Sequence, residues 1–191
     1  MVIPPPTASR WIVTGARGAG KTTFCRCVAE LARAAGQDVA GLLAPPRMED
    51  SDKTGIFVMD LRSGEQHLLA SAASQEIDGI RMGRWSFSAP AFQWADAVLS
   101  RATPCDLLIV DEIGPLELIR REGLAAWRPA LHSDDYRAAL AVVRTELEER
   151  FRQEWNRSES LAITSPHQAR EAAGTFFRRL AGPEKKSGIR C

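Results

Sequence analysis

Gly15-Ala16-Arg17-Gly18-Ala19-Gly20-Lys21-Thr22-Thr23 is the stretch from which the fold is read. It fits G-x-x-x-x-G-K-[ST], a loop whose glycines let the backbone turn tightly so that successive N–H groups converge on phosphate oxygens. In this reading Lys21 reaches the β- and γ-phosphates and the Thr22 hydroxyl ligates Mg²⁺. The helix that begins there turns its positive dipole end toward the same anion. Both flanks agree with that assignment. Ser9-Arg10-Trp11-Ile12-Val13-Thr14 reads as a short buried strand leading into the loop. Phe24, Val28, Leu31, Ala32 and Ala35 follow at helical spacing as an inward face, and Gly36 supplies the stop.

Outward from the loop, 191 residues suit one domain with a proper core, bracketed by an extended leader over residues 1–8 and a frayed tail over 182–191. The 25 Lys and Arg are balanced by 24 Asp and Glu and intermixed with them, so no basic track for a nucleic acid is expected. No apolar run reaches spanning length, and the proline-bearing N-terminus lacks a secretory segment, which points to the cytoplasm and away from a membrane. Cys25, Cys27, Cys105 and Cys191 make no metal pattern. Cys25 and Cys27 sit two apart on a predicted helix and face different ways, and a reduced set suits the cytosol. His67, His132 and His167 are scattered and read as surface or packing residues. A protein partner leaves no signature in the chain.

Residues 38–43 read as a second strand ending at Ala44-Pro45-Pro46-Arg47, followed by a polar turn over 48–53. Residues 55–61 and 66–70 flank Arg62-Ser63-Gly64-Glu65, a hairpin signature. A loop over 71–79, a short strand over 83–88 and a helix from Pro90 to about residue 101 come next, with Phe92, Ala95 and Leu99 inward. Asp106-Leu107-Leu108-Ile109-Val110-Asp111 is an apolar strand, and a helix is expected over 116–131 with Leu124, Trp127 and Leu131 on one face. A buried strand over 138–143 leads to a charged helix over 145–155, where Thr145 and Glu148 have capping-box spacing. A last strand over 160–164 and a helix opened by Ser165-Pro166, carrying Ala172, Phe176 and Leu180, complete the chain. Strands alternating with helices imply an α/β fold: a mainly parallel sheet, helices on both faces, and an inserted β-hairpin. Ligands bind such sheets at the carboxyl ends of the strands, where Gly15 and Asp111 both fall.

Leu107-Leu108-Ile109-Val110-Asp111-Glu112 is a Walker B pattern. Asp111 leaves a buried strand and can hold Mg²⁺ through its water shell beside Thr22, while Glu112 can orient or deprotonate a water attacking the γ-phosphate. Asp111-Glu112-Ile113-Gly114 also fits D-x-x-G, but no N-K-x-D or T-K-x-D follows, so the usual guanine-reading contact is missing and a regulatory GTPase is not expected. Glu117 can bond the phosphate loop or cap the following helix. Phosphoryl transfer develops charge that an arginine in cis often stabilises. Arg17, Arg47, Arg81, Arg84 and Arg144 are the candidates; Arg144 and Arg47 rank first because each directly follows a strand.

Val110-Asp111-Glu112-Ile113-Gly114-Pro115-Leu116-Glu117-Leu118, together with the Gly15–Thr23 loop, resembles the small P-loop nucleoside-triphosphatases that include cancer-related nucleoside triphosphatase and its archaeal and bacterial relatives. Gly41-Leu42-Leu43 with Arg47, the run Thr54-Gly55-Ile56-Phe57-Val58-Met59-Asp60-Leu61, and Arg81-Met82-Gly83-Arg84-Trp85 are similar to further segments of that family. The likeness covers residues 11–143; beyond that only the pattern agrees. It implies a RecA-like P-loop sheet and Mg²⁺-dependent hydrolysis of NTPs, ATP or GTP with loose base preference, to NDP and phosphate. It carries over Lys21, Thr22, Asp111 and Glu112 position by position, and Arg81 as a further catalytic candidate. Two departures mark a divergent branch: Ala44-Pro45-Pro46 stands where the family has a Thr and acidic residues, and Arg17 replaces a commonly Pro-like position. Two alternatives stand beside the hydrolase: a P-loop small-molecule kinase, with the Arg144–Arg157 segment as its lid, and a nucleotide-binding accessory protein in cofactor biosynthesis.

Overall fold

Phosphate loop and Walker B strand stand in one sheet, with a single strand between them. The computed structural model describes residues 8–72 and 77–181. The expected leader, all but its last residue, the tail over 182–191 and part of the 71–79 loop fall outside the described residues. In chain order the elements are β1 (Ser9–Thr14), α1 (Lys21–Ala34), β2 (Val39–Leu43), β3 (Pro46–Glu49), β4 (Asp52–Asp60), β5 (Gln66–Ser71), β6 (Ile80–Met82) and β7 (Trp85–Phe87). Then follow α2 (Ala89–Leu99), β8 (Cys105–Ile113), α3 (Trp127–His132), β9 (Tyr136–Val143), α4 (Glu148–Glu154), β10 (Glu159–Ala162) and α5 (Pro166–Ala181). The sheet order is β10-β1-β9-β8-β2-β4-β5-β7-β6, with β3 paired to β4. From β10 to β2 every pairing is parallel; from β2 onward every pairing is antiparallel.

The parallel half is covered on both faces, so its inner strands β9, β8 and β2 are buried through their centres while their side chains still alternate. Trp11 and Val13 of β1, Leu107 and Ile109 of β8, and Leu140 and Val142 of β9 share one core with Phe24, Cys25, Val28 and Ala29 of α1 and Phe176 of α5. Ile12, Leu108, Val110, Ala139 and Ala141 face the other, packed with Phe92 and Ala95 of α2, Trp127 of α3 and Phe151 of α4. Both faces therefore carry helices, as the alternation of elements implied.

Several expectations are corrected. Leu31 and Ala35 are exposed rather than inward. The stripe that meets the sheet runs through residues 24, 25, 28, 29 and 32, which puts position 31 on the helix shoulder, and Ala35 is already past the end. The polar turn over 48–53 contains a strand: Pro46–Glu49 pairs with β4 through a turn at Asp50 and Ser51, both at positive φ (46° and 74°). Its polar side chains are those of an edge strand, bonded on one side only, and its proline opens it. The strand over 83–88 is a hairpin, β6 to β7, turning at Gly83 and Arg84. The insertion is thus a five-strand antiparallel wing rather than one hairpin.

The helix over 116–131 is broken in two. Leu116–Arg120 forms one wide helical turn, the chain reverses through Arg121 (φ 56°) and Gly123 (φ +78°), and α3 starts afresh. The buried Glu117 carboxylate causes the break, accepting the Gly114 N–H (2.9 Å) on one oxygen and the Leu124 N–H (3.2 Å) on the other. A Cβ on residue 123 would lie 2.3 Å from Glu117 Oε1, so the carboxylate fits only against glycine. Glu117 bonds no atom of the phosphate loop; it ties the start of its own helical turn. The Thr145–Glu148 capping box does not form. Thr145–Leu147 is a 3₁₀ turn, and Glu148 instead binds Arg152 and Ser160. No helix among the described residues is long and apolar enough to cross a membrane.

Candidate active site

At the carboxyl ends of β1, β8 and β2 the loop, Asp111 and Ala44 converge on a cavity of about 390 Å³. The loop backbone is pressed against the β10–α5 connection: a Cβ at Gly15, whose φ is +149°, would fall 2.2 Å from the Ile163 carbonyl, and one at Gly20 2.8 Å from Pro166 Cα at the start of α5. Helix α1 begins at Lys21 with no side-chain cap and no acidic residue in its first turn. Its first N–H groups are left for an anion, and nothing nearby on the helix repels one. The Lys21 side chain is buried and its Nζ donates to the carbonyls of Gly15 (2.8 Å) and Ala16 (3.0 Å), which holds the ammonium over the loop.

Asp111 is 2 % exposed. Its Oδ2 accepts the Ala44 N–H at 3.2 Å and the nearby Thr22 hydroxyl favours its charged form, while Oδ1 is buried with no hydrogen-bond partner. Burial first, and the charge of Glu112 second, push its pKa up to about 6. A buried carboxylate oxygen without a donor, next to a hydroxyl and a phosphate cradle, fits a divalent cation. Among the described residues no group of three His, Cys, Asp or Glu is assembled to hold a metal. Mg²⁺ requires none, since it is bound by one or two carboxylates, water and substrate phosphates.

Glu112 stands at the cavity beside Asp111, and its Oε1 accepts Arg144 Nε at 2.6 Å. Arg17 also lines the cavity. The other three arginine candidates, Arg47, Arg81 and Arg84, are not brought to it. Arg47 lies on β3 with Nε 3.2 Å from both Thr54 Oγ1 and Glu49 Oε1, and Arg81 is exposed on β6; neither lines the cavity. Two site residues went unread in the sequence. Lys53, placed in the polar turn, is the second residue of β4 and half-buried in the cavity wall. Burial, followed by the nearby Arg17 charge, lowers its pKa. Trp85 stands where three cations gather: Arg84, Arg17 and Lys53 lie 4.7, 5.7 and 5.7 Å from its ring. The Arg84-Trp85 pair was visible as a motif, but nothing local to Lys53 announced that the β3–β4 hairpin would fold it over the loop.

The sequence model of a family described as NTPase matches residues 10–171. The chain is 33% identical over 133 residues to the nucleoside-triphosphatase THEP1 of Methanopyrus kandleri, covering 69% of this chain and 71% of that protein. It is 32% identical over 149 residues to THEP1 of Methanosarcina acetivorans, covering 75% and 82%. Among solved structures it superposes on a human cancer-related nucleoside triphosphatase (TM-score 0.65, 20% identity, 88% of this chain and 97% of that one). THEP1 of Aquifex aeolicus gives the same TM-score and identity, over 91% and 99%. These two share the α/β sheet architecture described above.

Proposed function

The chain belongs to the NTPase family, and from that premise we propose that it hydrolyses nucleoside triphosphates to the diphosphate and phosphate, with Mg²⁺ and with loose base preference. The observation that carries this reading is the buried, donorless Oδ1 of Asp111, beside Thr22 and one residue before Glu112. Loop amides and the first turn of α1 bind the β- and γ-phosphates, and Lys21 Nζ exchanges its carbonyl partners for phosphate oxygens. Thr22 and Asp111 would hold Mg²⁺, which when bound neutralises charge on the phosphate oxygens. Arg144 occupies Oε1 of Glu112, so Oε2 is the atom that orients the attacking water and takes its proton. Arg144 is therefore a positioning residue for Glu112. Arg17 and Lys53 add positive charge on the side of the cavity nearest Trp85, where the γ-phosphate oxygens gain charge as the bond breaks. The lack of an N-K-x-D segment supports the loose base preference, and the free thiols of Cys25, Cys27 and Cys105 suit a reducing cytoplasm.

Glu112→Gln tests the reading. It keeps the shape and removes the proton acceptor, so phosphate release should fall by about 10²–10⁴-fold while nucleotide affinity holds. Unaltered phosphate release in that variant would remove Glu112 from its role.

A further inference from the structure

The cavity runs from the Gly15–Thr23 loop into the wing. Lys21, Thr22 and Asp111 stand at the carboxyl ends of β1 and β8, and the sheet order β10-β1-β9-β8-β2-β4 sets the wing on the β2 side of them. There the walls change character. Ile56 and Val58 of β4, Leu69 of β5, Met82 of β6, Phe87 of β7 and Phe92 of α2 line the same hollow as Glu112 and Lys53. Glu117 also borders it, but its oxygens are committed to Gly114 and Leu124, so the chamber is apolar with polar groups at its inner mouth. Neither a phosphate nor a water molecule has use for such walls. A pocket apolar in lining with a few convergent polar groups is the usual form of a small-molecule site.

We propose that the wing chamber binds a second small organic molecule, with an apolar body and a hydroxyl group, as an acceptor for the γ-phosphoryl group. This rests on the triphosphate reading of the loop. The body lies against Val58, Leu69 and Phe87, and the hydroxyl emerges at Glu112. The hydroxyl oxygen forms the new O–P bond as the bond from the γ-phosphorus to the β–γ bridging oxygen breaks. The hydroxyl proton passes to Glu112 Oε2, and the electron pair of the broken bond leaves with the nucleoside diphosphate. Hydrolysis is the same displacement with water in place of the alcohol, so one site supports both.

The test uses γ-labelled ATP, Mg²⁺ and three alcohols at equal concentration: glycerol, 2-phenylethanol and 2-(2-naphthyl)ethanol. Labelled ester should form from the aromatic alcohols about tenfold or more in excess of glycerol, as expected for apolar-pocket discrimination. Met82→Trp, at the chamber's half-buried edge, should abolish ester formation and leave phosphate release unchanged; Met82→Leu should retain both. Ile56→Trp fills the chamber from β4 and should repeat the result if the first variant folds poorly. Free phosphate with no ester, or ester formed equally from glycerol, or ester surviving both filling variants, would overturn the acceptor site while leaving the hydrolase reading intact. Neither phosphate nor ester from the wild type would overturn the hydrolase reading and the acceptor site with it.

Discussion

Asp111→Asn should make the metal-free protein more stable while removing its activity. Asp111 is 2 % exposed, and its pKa moves from the ordinary 3.8 to about 6, chiefly because burial penalises the carboxylate. That displacement corresponds to about 3 kcal/mol against the ionised folded state. The sign follows from proton binding. Below pH 3.8 the carboxyl is protonated in both folded and unfolded chains and no penalty exists. As pH rises the unfolded chain ionises first, so stability falls from there until about pH 6 and then levels off with the full penalty in place. Asparagine has the same shape, keeps an acceptor for the Ala44 N–H, and does not titrate.

In chelator, the variant should therefore exceed the wild type by up to about 3 kcal/mol above pH 7, or about 6–12 °C in melting temperature for a chain of this size. Its amide N–H₂ brings a donor that, if unmet, takes back about 1–3 kcal/mol. The discriminating quantity is consequently the slope of the difference with pH rather than its offset. Thermal melts by circular dichroism from pH 4 to 8 measure it. A difference that does not grow between pH 4 and 6 would refute the reasoning, because the burial of Asp111 would then carry no charge penalty. Mg²⁺ with ATP should raise the wild-type melting temperature and leave that of the variant nearly unmoved.

Arg144→Ala should lower kcat by about 10–10²-fold with little effect on KM, since it acts through the orientation of Glu112. Arg144→Lys should recover part of that loss, being a point charge without the Nε geometry; steady-state kinetics of the two variants decide it. Gly123→Ala should cost about 2–4 kcal/mol, summing a positive φ and a displaced, buried Glu117 carboxylate. A urea midpoint unchanged from wild type would show that the Glu117 bonds are dispensable.

What was legible in the sequence is what depends on neighbours along the chain. The loop, its strand and its helix occupy one continuous run, and each part constrains the next: Thr14 ends β1 and Lys21 opens α1. Asp111 and Glu112 were readable because an apolar run leading into acids stands at a suitable sequence distance from a phosphate loop; alone that pattern is common. The misreadings have the opposite cause. Leu116 to Leu131 has helical spacing, but the break comes from a buried carboxylate seven residues from its second partner, Leu124, and periodicity cannot report that. Pro46–Glu49 carries no strand pattern because an edge strand owes its form to its partner rather than to its own residues. Arg47 was ranked by the strand it follows, yet the chain turns back into the β3–β4 hairpin at once and engages it with Thr54 and Glu49.

The change of strand direction at β2 is what closes the site. β2 runs parallel to β8 on one side and antiparallel to β4 on the other. On the parallel side every strand delivers its carboxyl end to the same edge, which builds the phosphate cradle and brings Asp111 to Thr22. An antiparallel neighbour delivers its beginning there instead, so the first residues of β4, Lys53 among them, arrive at the cavity between the loop after β1 and the end of β8. Trp85 then meets Arg17 from the loop and Lys53 from β4 on the same ring, 5.7 Å from each. Loop and wing are thereby held by shared contacts around one aromatic side chain, and the positive charge that lines the cavity comes from both halves of the sheet. A parallel continuation past β2 would have carried its first residues to the opposite edge of the sheet, away from the cavity that Lys53 lines.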